Sequence, residues 1–170
     1  MKISLKKERY LLLFISLYHF FMLLLKFMNN KVYFDEGIYT GISNYFLSFG
    51  EQGIFESFRP LVLSVLLMPF QLLPMSSLMA GRILAVILTL GCGFLVYHVA
   101  RRHFGKKVAS LSYFFFATST AMITYGGYIL VDLPAYTMAL LASSYAITKN
   151  NFRAGLFMAL GFMFKFPVII

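Results

Sequence analysis

The chain has 170 residues, of which 60% are hydrophobic and only 12% charged, with a mean hydropathy of +0.79. Soluble domains are about one-quarter charged, so a water-soluble globule is excluded. Fifteen Lys and Arg against six Asp and Glu give a formal net charge of +9, and the basic residues sit between apolar runs rather than along a polar face, which argues for a membrane and against nucleic acid.

A bilayer core needs about 20 mostly apolar residues per helix, and residues 10–28 meet that length behind Lys2, Lys6, Lys7 and Arg9. No small-residue cleavage site follows, and the run ends in Lys26, Asn29, Asn30 and Lys31. It reads as an uncleaved signal anchor. Residues 29–82 form a longer, more polar stretch. Within it Ile38, Ile42, Tyr45 or Phe46, and Phe49 recur at helical spacing and predict a helix lying on the membrane interface, opened by Asp35 and Glu36. Residues 61–75 are apolar but short for a span and contain Pro69 and Pro74, which predicts an interfacial or re-entrant helix.

Residues 83–100 form the next span, headed by Arg82 and closed by the densest basic cluster, Arg101, Arg102, His103, Lys106 and Lys107. Residues 108–148 carry one formal charge, Asp132, over twice the length of a span. A helical hairpin follows, with spans at 108–130 and 133–148. Its turn falls near Gly126, Gly127 and Pro134, with Asp132 as N-cap and Pro134 in the first turn of the second helix. Lys149 and Arg153 close that helix, and residues 154–170 are a fifth apolar run. The fold class is thus all-α and polytopic, a single transmembrane unit over residues 1–170 with about five spanning helices.

Sidedness follows from the basic clusters at 2–9, 101–107 and 149–153, which should all face the cytoplasm. Residues 29–82 then form the first outer loop, the amino terminus is cytoplasmic, and the plasma membrane is the expected location. Asp35, Glu36, Glu51, Glu56 and Asp132 share the outer side; the sixth acid, Glu8, sits among the amino-terminal lysines. Acids avoid apolar helices for ordinary reasons, but Asp132 stands where a span should be apolar, and such residues are functional candidates.

Each candidate has two readings. Asp35 and Glu36 either complement a helix dipole or supply a general base at the water–lipid boundary. Arg59, before Pro60, and Arg82 either snorkel to headgroups or hold a phosphate. Lys165 lies about 17 Å along its helix from the cytoplasmic loop at 1.5 Å per residue, past the midplane and toward Asp132. His19 and His98 are expected to pack on apolar helices, and His103 belongs to the basic loop. The single cysteine, Cys92, and the scattered histidines offer neither disulfide nor zinc spacing. No metal site is expected from them.

The ordered set Asp35-Glu36-Gly37-Ile38-Tyr39, Arg59-Pro60-Leu61, Gly81-Arg82-Ile83-Leu84, Arg101-Arg102-His103-Phe104-Gly105, Val131-Asp132-Leu133-Pro134 and Phe164-Lys165-Phe166-Pro167 resembles the amino-terminal part of the GT-C membrane glycosyltransferases. The nearest branch is that of dolichyl-phosphate-mannose protein mannosyltransferases and lipid A aminoarabinose transferases. The resemblance implies a polyprenyl-phosphate sugar as donor and a hydroxyl of a protein, lipid or glycan as acceptor. It implies Asp35 as catalytic base with Glu36 beside it, Asp132 as second acid, and Arg59 and Lys165, joined by Arg82 from the residue reading, toward the donor phosphate. No cofactor is implied, and a divalent cation shared by Asp35 and Asp132 is compatible with it. Family members run to several hundred residues, so the chain is expected to be an amino-terminal fragment, inactive by itself. The alternative is a non-catalytic membrane subunit or small transporter with an Asp132/Lys165 site.

Overall fold

The computed structural model describes residues 5–27 and 32–166. Lys2, the polar exit at Met28, Asn29, Asn30 and Lys31, and the end of the fifth expected span at 167–170 lie outside the described residues, as do the side chains of Lys6, Lys7, Glu8 and Lys26. The described chain is helical without strands: α1 (Leu5–Phe27), α2 (Phe34–Leu47), α3 (Val62–Gln71), α4 (Ser77–Thr118), α5 (Thr120–Tyr125), α6 (Asp132–Ile147) and α7 (Asn151–Phe164).

By length and composition α4 is the one described helix able to cross a membrane; Arg9–Leu25, α3 and α7 are shorter apolar helices. Five spans were expected, so helix length alone singles out fewer. Part of the difference lies in Gly105, whose φ of 82° interrupts α4 in a region that disfavours side chains with a Cβ. Phe94 and Tyr113, on either side of that break, pack at a tilt with ring centroids 5.4 Å apart. The two limbs therefore fold back on each other. At Gly93 a Cβ would meet the Tyr113 ring at 2.4 Å, so the hairpin closes only over glycine. The basic cluster 101–107 is the tip of this hairpin, where the sequence placed a loop.

The expected span 108–130 is corrected more substantially. Helix α4 ends at Thr118, Ser119 is extended, and its side chain accepts from Met122 N to start the short α5. Ser119 accordingly acts as a new N-cap inside the apolar run. After α5 the chain turns through 126–131 into α6. Asp132 is not the N-cap: Val131 is, and Asp132 is the first helical residue.

Helix α1 packs against both limbs of α4, with Ile15 buried among Tyr97, Ala100, Ala109, Tyr113 and Ala117. His19 is buried there with edge-on contacts to Tyr113 and Phe116. The α6–α7 hairpin is closed by Asn150, whose side chain accepts from Arg153 N at 3.2 Å, and by Tyr145 stacked on Phe157. His103 Nε2 lies 2.8 Å from Ser144 Oγ and ties the basic tip of α4 to α6. His98 is exposed.

Helices stand at both places where interfacial elements were expected. Helix α2 buries Ile38, Tyr39 and Ile42, while Phe49, counted in the apolar stripe, lies beyond the helix in a positive-φ turn and is 98% exposed. Helix α3 is 10 residues long with Pro69 in its last turn, about 15 Å at 1.5 Å per residue, too short to cross. It inserts Leu63 and Leu67 against Leu84, Ala85, Ile129 and Ala135, in the same core as Tyr39 and Phe164.

Candidate functional site

Four helix ends converge beside this core. Asp35 stands in the first turn of α2 and Asp132 in the first turn of α6, where unpaired backbone N–H groups favour negative charge. Lys165 follows the last residue of α7, where a cation is favoured for the complementary reason. Arg59 comes from the loop before α3. Together with Tyr39, Phe58, Pro60, Val131 and Phe166 they line a cleft of about 290 Å³.

The charges in the cleft are paired. Arg59 Nη1 donates to Asp35 Oδ1 at 2.7 Å and its Nε to Glu56 Oε2 at 2.8 Å. Lys165 Nζ pairs with Asp132 Oδ1. The Arg59 guanidinium sits among the rings of Phe34, Tyr39 and Phe58, with centroids at 6.0, 5.6 and 5.9 Å, positions suited to cation–π attraction. Burial opposes its charge, but hydrogen bonds to Asp35, Tyr39 and Glu56 outweigh burial and hold the guanidinium well above its ordinary pKa. Burial pushes the Tyr39 hydroxyl up, with the hydrogen bond to Arg59 offsetting part of the effect.

A second cavity, about 270 Å³, lies between α3, α4 and the α5–α6 turn. It is lined mainly by apolar side chains, including Leu63, Ala85, Leu88, Met122 and Ile129, and Asp132 is the one residue common to both cavities. Asp132 thus borders both a charged cleft and an apolar cavity.

Glu36 and Arg82 lie outside this cleft. Glu36 is fully buried and Arg82 nearly so, and they form a bidentate pair, Nε to Oε1 and Nη2 to Oε2, both at 3.0 Å. Glu36 also accepts from Tyr33 N at 3.0 Å and from Ile129 N at 3.3 Å. Arg82 Nη1 reaches Phe27 O at 3.4 Å, and its guanidinium lies 5.0 Å from the Tyr128 ring centroid. The pair joins the end of α1, the start of α2, the first turns of α4 and the loop before α6.

Of the six candidates read from the sequence, the fold brings Asp35, Arg59, Asp132 and Lys165 into one cleft and places Glu36 and Arg82 in the brace behind it. Glu56 and Tyr39 were not singled out. The spacing of Glu56 three residues before Arg59 was the available signal for the first; nothing local marked the second. Among the described residues no group of three or more His, Cys, Asp and Glu is arranged to hold a metal ion, and both cleft aspartates are engaged by cations. The residues present therefore do not form a shared cation site.

A family model of dolichyl-phosphate-mannose-protein mannosyltransferases matches residues 58–170, the stretch holding Arg59, Arg82, Asp132 and Lys165. Because the match covers most of the sequence, the chain belongs to that family. Membership implies an integral membrane protein and a glycosyltransferase of the kind supplied by a lipid-linked sugar. No curated protein and no solved structure matches the chain.

Proposed function

We propose that the chain carries the donor-side catalytic residues of a GT-C glycosyltransferase that moves a sugar from a polyprenyl phosphate to an acceptor hydroxyl at the outer face of the membrane. The observation that carries this reading is a charged cleft and an apolar cavity that both have Asp132 in their walls. A lipid-linked donor needs both at once: cations for the phosphate, and apolar walls for the first isoprene units. Arg59 and Lys165 are the cations.

In this reading Asp35 takes the proton of the acceptor hydroxyl as its oxygen bonds to the anomeric carbon. The bond from that carbon to the phosphate oxygen breaks, and its electron pair leaves on the phosphate, stabilised by Arg59 and Lys165. Attack from the face opposite the leaving group inverts the anomeric centre. Asp132 keeps Lys165 turned toward the cleft and orients the acceptor or the sugar. Glu36 and Arg82 act as a structural brace, not as groups that touch substrate. The acceptor is a protein, lipid or glycan hydroxyl, and the membrane is the plasma membrane with the basic hairpin tips inside.

The test is sugar transfer from a polyprenyl-phosphate donor by the full-length enzyme carrying Asp35→Asn. Loss of a general base costs about 10²- to 10⁴-fold, so turnover should fall in that range. Near-normal turnover removes Asp35 from the role. The Asp132–Lys165 pair also suits a transporter-like subunit without transferase activity. A wild-type enzyme that binds polyprenyl phosphate yet transfers no sugar favours that second reading.

A further inference from the structure

Both cations of the cleft are paired before any ligand enters. Asp35 faces Arg59 and Asp132 faces Lys165, so an incoming phosphate ester meets two cations that are already engaged. The pairs differ in one respect. Among the described residues Lys165 has a single acidic partner, whereas Arg59 is held twice, through Nη1 by Asp35 and through Nε by Glu56. Guanidinium is a rigid plane with donors on separate edges. Losing the bond on one edge leaves the other edge and the surrounding rings of Phe34, Tyr39 and Phe58 in place.

We propose that the Arg59–Asp35 ion pair is a latch opened by the donor phosphate, with Glu56 as the positioning residue that keeps Arg59 in place during the exchange. This rests on the transferase reading of the cleft and adds an order of events to it. The phosphate replaces Asp35 as acceptor of the Nη1–H hydrogen bond, and no covalent bond changes in this step. Asp35 Oδ1 is thereby freed to accept the proton of the acceptor hydroxyl. Donor binding consequently precedes base action, and the base stays capped while the donor site is empty.

A simpler effect gives part of the same behaviour, since any nearby acid repels phosphate. The two are separated by a mutant cycle on the full chain in lipid nanodiscs, reading binding of farnesyl monophosphate by calorimetry. Under the latch Asp35→Asn tightens binding by about two- to fivefold, the size expected of a partly exposed ion pair, and that gain disappears in an Arg59→Gln background. Arg59→Lys, which keeps the charge but not the fork, retains only part of it and serves if Arg59→Gln fails to fold. Glu56→Gln weakens binding although it removes a negative charge. Tightening by Asp35→Asn that persists without Arg59, or tightening by Glu56→Gln, assigns the effect to repulsion and overturns the latch. Unchanged or weaker binding by Asp35→Asn overturns it as well. No binding by the wild type overturns the donor reading itself and the latch with it.

Discussion

Glu36 and Arg82 lie 46 positions apart and meet as a bidentate ion pair, with both hydrogen bonds at 3.0 Å and both side chains buried. Each remaining oxygen lone pair is also used, by Tyr33 N and Ile129 N. A buried pair of this kind contributes little net stability compared with apolar residues of the same volume, but removing one partner strands a charge, at a cost of about 3–5 kcal/mol. Arg82→Ala should therefore destabilise the protein by that amount, read from denaturation followed by circular dichroism in detergent. Glu36→Leu combined with Arg82→Leu should recover part of the loss. A change under about 1 kcal/mol for Arg82→Ala, the size of an ordinary surface substitution, would rule out the brace.

Lys165 predicts the opposite pattern. Its partner Asp132 is about half exposed, and such pairs add about 0–1 kcal/mol to stability. Lys165→Gln should leave the unfolding transition nearly in place. Transfer should fall by about tenfold or more, because a preorganised cation at a leaving phosphate acts mainly on the transition state. If stability and turnover fell together, Lys165 would be structural.

Gly93 tests the α4 hairpin. With Tyr113 fully buried and its ring 2.4 Å from where a Cβ would stand, Gly93→Val overpacks the contact, a class of change that costs about 1–3 kcal/mol. Gly91, on the same limb but with open space at its Cβ, is the control. Equal effects at the two positions would mean that the limbs do not fold back as described.

Sidedness is accessible by cysteine labelling in a Cys92→Ser background. Glu51→Cys and Asp132→Cys should react with a membrane-impermeant maleimide in intact cells, whereas Lys149→Cys should react only after permeabilisation. Labelling of positions 51 and 132 from opposite faces would separate Asp35 from Asp132, and the single-cleft reading could not stand.

The hydrophobic pattern by itself pointed to a membrane protein and to the place of most of its helices, because apolar length and basic flanks are local properties. Helix α2 with Asp35 and Glu36 in its first turn, the short α3 with Pro69, and the basic tips at 101–107 and 149–153 were all legible for that reason. The break at Ser119 was not, since one hydroxyl residue in an apolar run reads the same whether it points outward or caps a new helix. For the charges, local sequence identified six candidates and could not sort them. Adjacent residues on a helix point about 100° apart, so Asp35 and Glu36 diverge, one to the cleft and the other into the core. Which direction each takes depends on Arg59 and Arg82, which come from separate elements. Only the tertiary structure decided that Glu36 is a brace and Asp35 a cleft residue, because a carboxylate's role is set by the cation and the solvent it meets in space.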